Sequence, residues 1–100
     1  LNSILGLIGI AKKGGMLATG DEQTRVAARA RRAKAIFTAS DAAENTMRRA
    51  ESLADLCGVP HIRLPADRET LANALGMRSC AIFAILNSGV AEAIIKKINP

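Results

Sequence analysis

The stretch TGDEQTRVAARARR (19–32) gathers the residue types best suited to recognition chemistry: Gly20, Asp21, Glu22 and Gln23, then arginines at 25, 29 and 32. Carboxylate and amide oxygens accept hydrogen bonds from the N–H groups of nucleic-acid bases, and a guanidinium grips phosphate. The spacing i, i+4, i+7 sets Arg25, Arg29 and Arg32 along one stripe of a helix running to about Arg31. Thr19 reads as its N-cap, with Glu22 three residues on completing a capping box. Acids at a helix start also have an ordinary use, each contributing ~0.5–1 kcal/mol through the cap and the dipole. A bare helix N-terminus attracts phosphate, and carboxylates there work against it. The pattern therefore raises the question of what partner meets a helix that opens on acids and finishes on arginines.

A charged helical stripe is by default a solvated face, so the distribution of charge has to decide. Residues 12–49 hold nine Lys/Arg against four acids, whereas residues 50–100 hold five of each sign. The whole net charge of +5 thus sits on one contiguous part of the chain. That asymmetry points to a polyanion, with nucleic acid the first choice.

Other chemistry is poorly represented. Gly14-Gly15 follows a helical pattern and belongs to neither GxxxxGK nor GxGxxG, so no phosphate loop is expected. His61 lies in a short extended segment without a neighbouring nucleophile, Asp41 and Glu44 sit where acids commonly cap, and no serine has an elbow context. Cys57 and Cys80 lack further ligands at metal spacing and read as small apolar residues of a reducing cytoplasm. We expect no catalysis, cofactor or metal. With no Trp or Tyr, and with Phe37 and Phe83 inside apolar segments, a reader that stacks single-stranded bases on exposed rings is not expected. The expected partner is structured RNA.

At 100 residues the chain is one expected domain, 1–100. No apolar run reaches the ~18–20 residues of a membrane span. LNSILGLIGIAKKGG places its lysines after the apolar stretch, the reverse of a secretory signal. The start at Leu1 rather than methionine reads as trimming or excision from a longer product.

Helical and extended patterns alternate along the chain. A first helix carries Ile4, Leu7, Ile8 and Ala11, is capped by Asn2 or Ser3 and is stopped by Gly14-Gly15. Met16-Leu17-Ala18 is extended, and AIFT (35–38) is a strand. A third helix turns Met47, Ala50, Ala54 and Cys57 inward and ends at Gly58. HIRL (61–64) alternates as a strand with one exposed face. Asp67 caps a helix closed by Gly76, and CAIFAIL (80–86) is a central strand buried on both faces. Ser88 caps the last helix. This order predicts an α/β fold, a three-layer α/β/α sandwich with a four-stranded mixed sheet.

The same order, with LGLIGIAKKGGMLATGDE (5–22), AKAIFTASDAAENT (33–46), VPHIRL (59–64), LANALG (71–76) and AIFAILNSGVAEAI (81–94), resembles the kink-turn-binding L-seven-Ae ribosomal protein family, especially its small bacterial members of YlxQ type. The resemblance implies docking on kinked RNA through the second helix's first turn, with the loop before the last strand covering an extruded base. It makes Gly20 the point of close backbone approach, and Asp21, Glu22 and Gln23 the polar contacts. Met77 becomes the base-covering residue and Arg78 its charged neighbour. Arg25, Arg29 and Arg32, joined by Lys12 or Lys13, hold the backbone. Three departures stand out: Glu22 then Gln23 where the family pattern has asparagine then glutamate, Val26 where it has lysine, and a short GMRS loop (76–79). The expected protein is a non-catalytic cytoplasmic RNA binder, ribosomal or ribosome-associated. The rival expectations are a protein-interaction module in ribosome assembly and a substrate-binding domain of a larger RNA-modifying enzyme.

Overall fold

A computed structural model describes residues 1–99. Five helices and four strands alternate: α1 (Asn2–Lys13), β1 (Leu17–Thr19), α2 (Gly20–Arg29), β2 (Ala35–Thr38), α3 (Glu44–Cys57), β3 (His61–Arg63), α4 (Arg68–Leu75), β4 (Ile82–Ile85) and α5 (Ser88–Ile98). The strands form one mixed sheet in the order β1-β4-β2-β3. β4 runs antiparallel to both β1 and β2, and β3 lies parallel to β2. The sandwich and its mixed sheet are therefore as the alternating pattern predicts.

The two central strands are buried at every position, and successive side chains enter opposite cores. Ala35, Phe37, Phe83 and Ile85 join Ile4, Ile8, Leu71, Leu75 and Ile94 beneath α1, α4 and α5. Ile36, Ile82 and Ala84 meet Ala27, Ala28, Ala50 and Ala54 of α2 and α3. Phe37 and Phe83 pair across the β2–β4 ladder, their rings stacked with centroids 5.3 Å apart. Cys80 belongs to the first core and Cys57 packs against the second, so the two free thiols lie on opposite sides of the sheet.

Four helices end in the same way. At α1, α3 and α4 the residue after the cap, or the cap itself, is a glycine with positive φ: Gly15 at 69°, Gly58 at 67° and Gly76 at 65°. In each, the next residue's N–H reaches back to a carbonyl five positions earlier, as in Met16 to Ala11, Val59 to Ala54 and Met77 to Ala72. α2 closes identically through Arg32 N–H to Ala27 and Arg31 N–H to Ala28, but its left-handed residue is Arg31, at φ 60°. The predicted continuation to Arg31 is corrected here: the helix stops at Arg29. Four smaller corrections follow from the caps and faces. α1 begins at Asn2 with no side-chain cap, and Asn87 rather than Ser88 caps α5, its side chain accepting from Val90 N–H at 3.0 Å. In α3 the buried residue next to Met47 is Thr46, with Met47 and Cys57 half-buried. The last strand is Ile82–Ile85, shorter than the run that predicts it.

Replacing Phe37 with alanine removes half of the ring stack at the sheet centre. Urea unfolding should show a loss of about 3–5 kcal/mol, and the loss for Phe83→Ala should not add to it because the two rings touch. Asp67 offers a pH test. Its carboxylate accepts from Thr70 N–H at 2.8 Å, and that hydrogen bond holds its pKa below the ordinary 3.8. The stabilisation is complete above that ordinary value and is lost as pH falls through the lower folded-state value. Asp67→Asn keeps a cap that does not titrate, so the wild-type protein should lose its melting-temperature advantage over this variant in strong acid.

Candidate nucleic-acid interface

The register fixes which residues share an end of the sheet. Thr19 pairs with Phe83 and Thr38 with Ile82, so β1 and β2 finish where β4 begins. The start of α2, the start of α3 and the loop into β4 therefore gather at one end. Gly20 opens α2 at φ 82°, in the left-handed region, where a side chain would be strained although open space surrounds it. Asp21, Glu22 and Gln23 follow, all exposed.

Each of these polar residues already has a partner within the protein. Gln23, not Glu22, closes the capping arrangement: Thr19 N–H donates to its Oε1 at 3.2 Å, and the Thr19 side chain makes no cap bond. Glu22 is instead ion-paired with Arg25 one turn on. Asp21 accepts from Arg49 Nε of α3 at 3.0 Å, and Arg49 also reaches Thr46 Oγ1 at 3.3 Å. Arg48 pairs with Glu44 and Asn45, each at 3.0 Å. Asp21, Glu22, Arg25, Asn45, Arg48 and Arg49 thus line one open groove between α2 and α3. Its three arginines face three acids, Asp21, Glu22 and Glu44, so the groove is close to neutral. Exposed pairs of this kind are worth only ~0–1 kcal/mol and exchange readily for another partner.

Past the groove the site residues part company. Arg29 is the exposed last residue of α2. Arg32 lies beyond the left-handed turn and lines the opposite end of the sheet with Gly15, Arg31, Lys34 and Asn87. The predicted single stripe of Arg25, Arg29 and Arg32 is therefore broken, because a helix that ends at Arg29 cannot carry the third member. Lys12 is engaged elsewhere, donating to the Leu75 carbonyl at the end of α4. In the loop before β4, Met77 is half-buried against the α1, α4 and α5 core, while Arg78 is exposed near Asp41, Arg68 and Glu69. Four basic residues outside the predicted site stand beside its members, Arg48 and Arg49 across the groove and Arg31 and Lys34 next to Arg32. The regional charge excess contained all of them, but only the fold shows which are paired.

One constellation has the order of a catalytic triad. Thr38 Oγ1 lies 2.8 Å from His61 Nε2, and His61 Nδ1 lies 2.8 Å from Glu51 Oε1. Sequence reasoning missed this contact because β2 and β3 bring residues 23 apart into adjacent strands. Thr38, however, is 0% exposed and has a second contact with Met47 Sδ at 3.3 Å. A hydroxyl sealed under α3 cannot meet a substrate, so the network tethers α3 to β2 and β3. The thiols are equally unsuited to attack. Burial pushes the pKa of Cys57 and Cys80 up, outweighing Arg31 beside the first and the Ile82 hydrogen bond at the second. Among the described residues no group of three His, Cys, Asp or Glu side chains is placed to hold a metal, and no helix is long and apolar enough to cross a membrane.

Known proteins share this architecture and much of this sequence. A solved structure of a protein of unknown function from Bacillus halodurans superposes with a TM-score of 0.81 over 97% of both chains, at 24% identity. The chain is 33% identical over 88 residues to the RNA-binding protein YlxQ of Enterococcus faecium, a match covering 88% of this chain and 84% of that protein. Residues 2–95 match the ribosomal protein L7Ae/L30e/S12e/Gadd45 family. With its sheet order, its glycine-led second helix and a match along nearly its whole length, this chain belongs to that family.

Proposed function

We propose that this protein is a non-catalytic RNA-binding domain of the cytoplasm, ribosomal or ribosome-associated, that docks structured RNA at the start of α2. Family membership, together with a relative named for RNA binding that matches 88% of the chain, carries this reading. The tip of α2 supplies the contacts. Gly20 lets backbone approach the RNA, and Asp21, Glu22 and Gln23 accept from guanine and adenine N–H groups. These acids are held in place by Arg49 and Arg25 until an RNA edge replaces those partners. Arg25 and Arg29 meet the backbone on the exposed side of the helix. Met77 caps an extruded base from the loop before β4, and Arg78 adds charge beside it. A kink-turn, with its sheared G·A pairs, is the structured RNA that best fits a polar tip flanked by that loop.

If about five phosphates are neutralised, log affinity should fall with log salt at a slope of roughly −4, taking the duplex coefficient by analogy. Arg25→Ala with Arg29→Ala should weaken binding to every structured RNA and flatten the slope, whereas Glu22→Gln should change which RNA is preferred. The kink-turn assignment is tested by measuring affinity for a kink-turn hairpin and for the same hairpin with its G·A pairs converted to Watson–Crick pairs. The kink-turn hairpin should bind more tightly. Equal affinities would remove that assignment and leave general RNA binding standing.

A further inference from the structure

The tip of α2 is neutral, yet the protein carries a net charge of +5, so the unpaired cations must lie elsewhere. Many of them lie where α2 turns into β2. Arg29, Arg31, Arg32 and Lys34 are all exposed, and none has an ion pair among the described residues. Lys34 N–H donates to the Ile85 carbonyl, which fixes this corner at the opposite end of the sheet from Gly20. The start of α5 faces the same corner, with its Asn87 cap lining the depression and no acid in its first turn, so its positive dipole end adds to the field. The nearby acid of α3, Asp55, is exposed and pairs with none of these cations, and Glu92 lies in the second turn of α5.

Arg31 gives an independent reason to look here. It is the one non-glycine residue with positive φ among those described, and it occupies a helix-ending turn that α1, α3 and α4 each make with glycine. A side chain is tolerated at that position at the cost of backbone strain. Glycine would relieve that strain, and the chain carries an arginine there instead.

We propose that this corner is a second RNA-backbone site, formed by Arg31, Arg32, Lys34 and the start of α5, so that one strand is held along the whole of α2. The inference rests on the RNA-binding reading above. Two depressions support it. One runs beside β1 from Glu22 and Gln23 past Val26 to Arg32, and the other continues from Arg32 to Lys34 and Asn87, with Gly15, Arg32 and Leu86 lining both. Over the ten residues of α2 the trough extends about 15 Å, long enough to follow several linkages of one strand. No aromatic side chain and no acid lines the corner, so it suits phosphate rather than bases. The acids stand at one end of the trough and the free cations at the other.

The test compares salt dependence of hairpin-RNA binding for the full chain and two variants that lose the same charge. Arg31→Gly with Lys34→Ser removes two of the corner's three cations, and glycine at 31 relieves the strained turn. Lys96→Ser with Lys97→Ser removes two exposed cations from the far end of α5. The corner variant should melt no lower than wild type, yet its salt slope should shrink by about 1.4–1.8. The α5 variant should keep the wild-type slope. Equal shifts in both, or a wild-type slope in the corner variant, would overturn the second site while RNA binding stands. A wild-type protein with no salt-dependent affinity for the hairpin would sink the RNA reading itself.

Discussion

Everything in this molecule is hung on the antiparallel pairing of β2 with β4, two short strands that water never reaches. Their eight residues carry no charge, and alternate side chains must satisfy two different cores at once. The stacked Phe37 and Phe83 fill the thick side under α1, α4 and α5. On the other side the contacts are mostly alanines, which let α2 and α3 lie close on the sheet and close to each other. That closeness places Arg49 within reach of Asp21, although they are 28 residues apart. The electrostatics of the candidate interface thus follow from side-chain volume in the core beneath it.

Much of this arrangement is legible in the sequence, and the illegible parts have common causes. The strand AIFT and the central placement of β4 follow from apolar runs too short for helices. Gly15, Gly58 and Gly76 announce three helix ends because glycine is the residue that a left-handed turn favours. The end of α2 is silent, since Arg31 takes that turn and the arginine–alanine pattern around it has high helix propensity on both sides of the true boundary. Asn87 outcompetes Ser88 as a cap by one position, a choice the two residue types cannot settle because both cap well.

The interface divides in the same way. Which residues are polar and basic between 19 and 34 is plain from the chain alone. Which of them are free is not, because freedom depends on partners in other elements. Gln23 replaces Glu22 at the Thr19 amide because Glu22 is drawn to Arg25, a local competition between two acceptors one residue apart. Asp21 is claimed by a different helix altogether. Thr38 and His61 meet only because β3 is laid parallel to β2, and burial then denies that contact the chemistry its geometry suggests.

Carboxylates at the start of a helix in a net basic protein have a physical account in this separation. An acid at the tip would repel phosphate if left bare, but Arg49 and Arg25 reduce the local field to near zero without removing the acceptor oxygens. The unpaired cations stand a helix length away, at a corner that no acid lines. Long-range charge and short-range hydrogen bonding act at different distances, so the two can occupy opposite ends of one helix without opposing each other. A continuous arginine stripe would have mixed them. The end of α2 at Arg29 and the turn that follows it keep them apart.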